Sequence, residues 1–132
     1  MTLKYIIAGD PRTKKNHMQM ARTKDGRVFP IQSSQYLEYE KWCKAHLKKP
    51  ASPINTPVTV SVKYFMRTKR RVDITNLLGA TDDILVECRI LADDNSNIIK
   101  SHDGSRVFYD KDNPRAEITI TDYVENENEN NA

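Results

Sequence analysis

Apolar side chains recur at every second position through PVTVSVKYFM, residues 57–66, alternating mainly with polar ones. A period of two places one set of side chains on one face of an extended chain, so the segment predicts a half-buried β-strand. RAEITITD, 115–122, repeats the alternation, and LKYIIA, 3–8, predicts a shorter strand that Gly9, Asp10 and Pro11 end. Helical spacing appears in two places. From Ile74 to about Val86, the positions Ile74, Leu77, Leu78, Ile84 and Leu85 form an apolar stripe, with Asp73 placed to cap it. Over about 35–48, Tyr36, Leu37, Tyr39, Trp42, Cys43, His46 and Leu47 give a mixed stripe opposite Lys41, Lys44 and Lys48; Ser33 or Ser34 can cap this helix, and Pro50 and Pro53 stop it.

Turn chemistry fills in the rest. Asp103-Gly104 lies between NIIKSH and SRVFY, which predicts a two-residue hairpin after the turn at Asp93, Asp94 and Asn95. The stretch from Pro11 to Phe29 is polar and basic, with a further hairpin turn at Asp25-Gly26, and reads as a substrate arm. The order strand, helix, strand, helix, hairpin, strand implies an α+β fold: a single domain with two main helices packed on a mixed β-sheet.

At 132 residues the chain holds one core, and the expected division is a domain over 1–123 and a disordered acidic tail over 124–132, VENENENNA. Leaving out that tail changes the charge: the net is +3 overall, but residues 1–123 carry 21 Lys and Arg against 15 Asp and Glu, a surplus of +6. Basic clusters at Lys14 and Lys15, at Arg22, Lys24 and Arg27, along the first helix, and at Arg67, Lys69, Arg70 and Arg71 suit a polyanion such as nucleic acid. Ordinary solubility is the alternative explanation. Two isolated cysteines, Cys43 and Cys88, no apolar leader and no apolar run of membrane-spanning length point to a reduced, cytoplasmic protein with no membrane partner.

Candidate chemistry centres on carboxylates. Asp73 opens the second helix, Asp82 and Asp83 lie near its end, and Asp93 and Asp94 follow in the next turn. Asn76 and Asp83, seven residues apart, fall within about 20° of each other around a helix of 3.6 residues per turn. Carboxylates converging without His or Cys favour a hard, oxygen-seeking ion, Mg²⁺ or Mn²⁺, that activates water and neutralises charge on a phosphodiester. The adjacent Arg70 and Arg71 would hold flanking phosphates. A purely structural account gives Asp73 the role of an N-cap, leaves Asp82 facing solvent and makes residues 93–95 only a turn. Four glycines allow no phosphate-cradling loop, and His17, His46 and His102 lack zinc-ligand spacing. His102, beside the Asp-Gly turn, could contact substrate but reads first as a hairpin surface residue.

Residues 70–94 resemble the RusA family of Holliday junction resolvases, found in phages and prophages: a basic run, Asp-x-x-Asn-Leu from Asp73, an acid at Asp83, then Leu-x-Asp-Asp at 91–94. Looser similarity runs through 11–16, 57–66 and the final strand. The resemblance implies a homodimeric, Mg²⁺-dependent endonuclease that places paired nicks in a four-way DNA junction during recombination and repair. It makes Asp73 and Asp94 catalytic metal ligands and matches Asn76 and Asp83 to polar positions of the motif helix, Asp83 as a further acid. Asp93 joins them from the carboxylate cluster, and the basic and polar positions Lys14, Lys15, Asn16, Lys69, Arg70, Arg71, Asn76 and Lys100 are the expected DNA contacts. Two departures stand out. The family commonly has an acid where this chain has Thr75, and a lysine where it has Gly79. Lys100 or Arg71 is expected to replace that lysine's charge. The departures also keep two alternatives in view: a catalytically weakened module that binds junctions, and a metal-dependent nuclease acting on flaps or single strands.

Overall fold

The structure, a computed structural model, describes residues 1–14 and 18–125. The chain runs β1 (Thr2–Ala8), β2 (Met18–Arg22), β3 (Val28–Gln32), α1 (Ser34–His46), β4 (Val58–Met66), α2 (Ile74–Glu87), β5 (Ile99–Ser101), β6 (Arg106–Tyr109) and β7 (Arg115–Asp122). The two alternating segments form the middle of the main sheet. Val58, Val60, Val62, Tyr64 and Met66 of β4 and Ala116, Ile118 and Ile120 of β7 all point into the core, so the period of two in the sequence is the period of burial. β7 pairs antiparallel with β1 on one side and with β4 on the other, while β4 pairs in parallel with both β5 and β6. The fold is thus α+β, with one domain, a mixed sheet and two helices.

Against the buried sheet face lie Tyr36 and Cys43 of α1 and Leu77, Ala80, Ile84 and Leu85 of α2. Tyr64 of β4 shares a 2.6 Å hydrogen bond with Thr81 of α2, which satisfies both hydroxyls inside the core. Ser33 caps α1, its hydroxyl accepting from the Tyr36 amide. Both cysteines are buried and free; burial pushes the Cys43 thiol up to about 12 and raises that of Cys88.

The Asp25-Gly26 turn closes a real hairpin: β2 and β3 form a separate two-stranded sheet, and Gly26 takes the positive φ the turn requires. The expected hairpin at Asp103-Gly104 does not form. β5 and β6 run in the same direction along the edge of β4, so they are two parts of one interrupted edge strand. The turn is genuine, with the Ser105 amide donating to the His102 carbonyl, but it acts as a bulge: Thr59 to Lys63 of β4 is faced by the one-residue-longer span Ser101 to Arg106. The Ser105 hydroxyl accepts from the Val62 amide and fills the gap in the ladder. Gly104 is required here, since its φ is +88° and a Cβ would lie 3.0 Å from the Ser61 hydroxyl. Two strands can close as a hairpin only on each other, and here the free edge of β4 takes both, completing a β4–α2–β5 crossover unit.

Candidate active site

The path of the chain out of β1 places the first functional side chain. Gly9, at φ +100°, turns the backbone; Asp10, Pro11 and Thr13 are then buried, and Lys14 emerges beside α2. Asp10 fastens this segment to the basic loop after β4. Its carboxylate accepts from the Arg67 amide at 2.9 Å and from the Arg70 guanidinium at 3.0 Å. With Asp10 only 7% exposed, its charge needs partners: Arg70 is the close one, and the Arg12 guanidinium lies 4.0 Å from the same oxygen. The guanidinium expected to grip phosphate is therefore tethered. Lys69 and Arg71, both exposed, have no carboxylate partner among the described residues.

On α2, Thr75, Asn76, Gly79, Ala80 and Asp83 line a cavity of about 270 Å³, and Lys14 closes it from the side. The seven-residue spacing does bring Asn76 and Asp83 to one face. Lys14 Nζ lies 3.0 Å from an Asp83 oxygen and 5.7 Å from the centre of the Tyr36 ring. Gly79 contributes no side chain, and a Cβ there would meet nothing within 4 Å. The space that a lysine on α2 would fill is reached instead by a lysine from the loop after β1. Lys100 and Arg71, the two residues expected to replace that charge, are exposed and do not line the cavity.

The acids divide into groups. The Asp94 carboxyl is raised above the ordinary aspartate value, first by desolvation, then by hydrogen bonding with Asp83 and Asp93 and by the Asp83 charge. Asp83, Asp93 and Asp94 are thus neighbours, although the oxygens of Asp93 already accept from the Asp94 amide and the Asn95 side chain. Asp73 stands apart, at the first end of α2. Ten residues at 1.5 Å each separate it from Asp83 by about 15 Å along the axis. Its carboxylate makes no capping hydrogen bond to the helix; its contact is a long one of 3.4 Å from the Asn76 amide group. Asp73 occupies the N-cap position without performing the usual capping role. Among the described residues, no three His, Cys, Asp or Glu side chains gather closely enough to hold a metal ion by themselves. Lys15 and Asn16 lie outside the described residues, as does the tail beyond Glu125.

Asp82, solvent-facing in the purely structural account, and His102, read as a surface residue, are in fact paired. Asp82 is 8% exposed and faces inward, because adjacent helical residues point about 100° apart. His102 is half-buried above it, Nε2 lying 2.9 Å and 3.1 Å from the two carboxylate oxygens. Nothing in the sequence spacing, 20 residues across a crossover connection, signals this pair. The hydrogen bond to Asp82 raises the His102 imidazole above its ordinary value, with burial opposing. A raised folded pKa means that the pair's stabilisation is complete below the unfolded value, about 6.5, and is lost as pH rises through the folded one. The melting-temperature advantage of the native protein over His102→Gln should therefore be largest in acid and shrink with alkalinity. An advantage that stays constant from about pH 5.5 to 9 would show that the pair is not charge-coupled.

Gly79 supports a second expectation. It is exposed in mid-helix with room for a methyl group, so Gly79→Ala should raise stability by about 0.5–1 kcal/mol, read from the denaturation midpoint. A loss of stability would show that the open space is closed in solution.

No curated protein matches the chain significantly. The family model described as Endodeoxyribonuclease RusA, however, matches residues 8–121, a span that takes in the buried Asp10 turn, Lys14, all of α2, Asp94 and the last strand but one residue. With that match over most of its length, the chain belongs to the RusA endodeoxyribonuclease family.

Proposed function

We propose that the protein is a metal-dependent endonuclease that resolves four-way DNA junctions as a homodimer, with each subunit nicking one strand. Membership of the family supports a junction-resolving endodeoxyribonuclease in general terms. The observation that carries the finer reading is the cavity on α2, where Lys14 and Asp83 pair next to the crowded Asp94 carboxyl. A two-fold protein presents two such cavities to a two-fold substrate, which accounts for paired nicks.

Each side chain has a physical task. Lys14 brings a positive charge to a scissile phosphate in the cavity, and the Asn76 amide can donate to a non-bridging oxygen. Asp94, crowded by Asp83 and Asp93, is a carboxylate whose unfavourable charge a bound cation would relieve. An all-oxygen donor set with an undercompensated carboxylate fits Mg²⁺, which binds through one or two carboxylates together with substrate phosphates. Asp83 and Asp94 are the residues to hold it here, with Asp93 beside them. Bound there, the ion supplies water activation and neutralisation of phosphoryl charge. Asp73, free of the helix cap, marks the other end of the same ridge.

A second reading, a junction-binding module with weakened chemistry, draws on the separation of Asp73 from the other acids and on Thr75 and Gly79. One experiment separates the two. A labelled synthetic four-way junction is incubated with the protein in Mg²⁺, Mn²⁺ or EDTA. Symmetric, ion-dependent nicks support the resolvase. Tight, salt-sensitive binding with no product in any ion supports the module.

A further inference from the structure

Beyond the far end of β6 the surface changes character. Arg67, Thr68, Lys69, Tyr109 and Lys111 line a cleft of about 540 Å³, formed between the loop after β4 and the turn before β7. That volume is within the range of about 300–1,000 Å³ typical of ligand sites. We infer that this cleft binds an unstacked nucleotide, with the Tyr109 ring stacking on the base and Arg67, Lys69 and Lys111 holding the flanking phosphates. The identity of the polyanion rests on the DNA reading above; the aromatic contact and its location are new.

Three features of the cleft support this assignment. Its cations are uncommitted: among the described residues none of the Arg67, Lys69 and Lys111 side chains has a carboxylate partner, whereas those of the neighbouring Arg70 and Arg115 do. Its ring is exposed, Tyr109 by 46%, and one face already has the Lys69 ammonium 5.1 Å from its centre, the kind of contact a ring with an accessible π-face makes. Its frame is rigid. The Asp110 amide donates to the Met66 carbonyl, and the Asp110 side chain accepts from the Asp112 and Asn113 amides and from Arg115. Arg115 in turn lies 3.8 Å over Phe65, which stacks on Phe108. Tyr109 is therefore presented by a turn whose own polar groups are already engaged.

Charge alone would fit any polyanion. An exposed ring among free cations is the combination that single-stranded nucleic acid sites use, because every base has a π-face while its phosphates need cations. A paired duplex offers no such face. A four-way junction keeps its bases paired but, opened at the point where strands exchange, breaks the stacking of its central pairs and exposes their faces, and the cleft's own residues Arg67 and Lys69 precede Asp73 by only a few positions.

The test uses the full chain and two probes, a synthetic four-way junction and a single-stranded oligothymidylate, each also made with 5-iodouracil for photocrosslinking. Tyr109→Ala should weaken binding of both by about tenfold, within the range for loss of one base–aromatic stack, while Tyr109→Phe stays within about twofold of native. Lys111→Ala should weaken binding and lower the salt dependence by about one ion. Crosslinks should map to Tyr109. Equal affinity in native and Tyr109→Ala protein, with crosslinks elsewhere, would overturn the inference. So would weakening by Lys111→Ala without any effect of Tyr109→Ala, which would make the cleft a phosphate contact only. Tyr109-dependent binding of the single strand in a protein that cuts no junction would uphold the cleft and sink the resolvase reading. Junction cutting with Tyr109-independent binding would do the reverse.

Discussion

Asp94→Asn is expected to reduce cleavage of a four-way junction by at least about 10²-fold, ~2.7 kcal/mol in the barrier, while leaving junction binding and the fold intact. The physical basis is the raised carboxyl of Asp94. Desolvation and the Asp83 and Asp93 carboxyls beside it make the ionised form unfavourable in the folded protein. A carboxylate raised in this way opposes folding at neutral pH, so replacing it with a neutral amide of the same shape should hold or slightly raise the melting temperature. A structural aspartate would behave oppositely, losing stability with its hydrogen bonds. Asp73→Asn should give the same separation, because asparagine caps a helix as well as aspartate does and the native carboxylate makes no capping bond. The measurement is paired: single-turnover cleavage and melting temperature for both variants. Full activity in Asp94→Asn would remove the carboxyl from the chemistry.

The same residues show what the sequence could and could not display. Alternation in 57–66 and 115–122 forecast strand, face and burial together, because a period of two has only one geometric meaning. The stripe of α2 was equally plain, and so was the shared face of Asn76 and Asp83. The expectations that failed were set by pairing at a distance. Asp103-Gly104 has the chemistry of a hairpin turn, yet the choice of partner belonged to β4, more than forty residues earlier. Asp10 reads as a turn residue after a strand, and only the fold reveals its buried carboxylate holding the Arg67 backbone amide and the Arg70 guanidinium. Asp82 and His102 meet only because the crossover from α2 brings the edge strand back over the helix. Even the end of α2 was obscure: the position with φ +59° is occupied by Arg89, while the helix's glycine sits in its middle. A sequence reader looks for glycine at the former place and not at the latter.

That displaced glycine shapes the second large expectation. Lys14→Ala should slow junction cleavage by about 10²-fold, the scale of losing one charge-stabilising donor from an active site. Stability should change by less than about 1 kcal/mol, because the Lys14–Asp83 pair is partly exposed and such pairs contribute little to folding. Lost activity with retained stability would itself separate a positioning or catalytic cation from a structural one. The decisive arm is the double variant Lys14→Ala with Gly79→Lys. Gly79 lines the same cavity and its Cβ direction is open, so a lysine side chain launched from α2 has room to approach Asp83. The change also favours the helix, since lysine is a better helix former than glycine by roughly 0.7 kcal/mol. Recovery of at least about tenfold in rate would show that the cavity needs a positive charge and accepts it from either side. If Lys14→Ala cut as fast as native protein, the charge would be dispensable. If Lys14→Ala were slow and the double variant, folded and DNA-bound, were no faster, the loop after β1 would be contributing something that a lysine on α2 cannot supply. The interchangeability of the two positions, on which the role of Lys14 as replacement depends, would then be wrong.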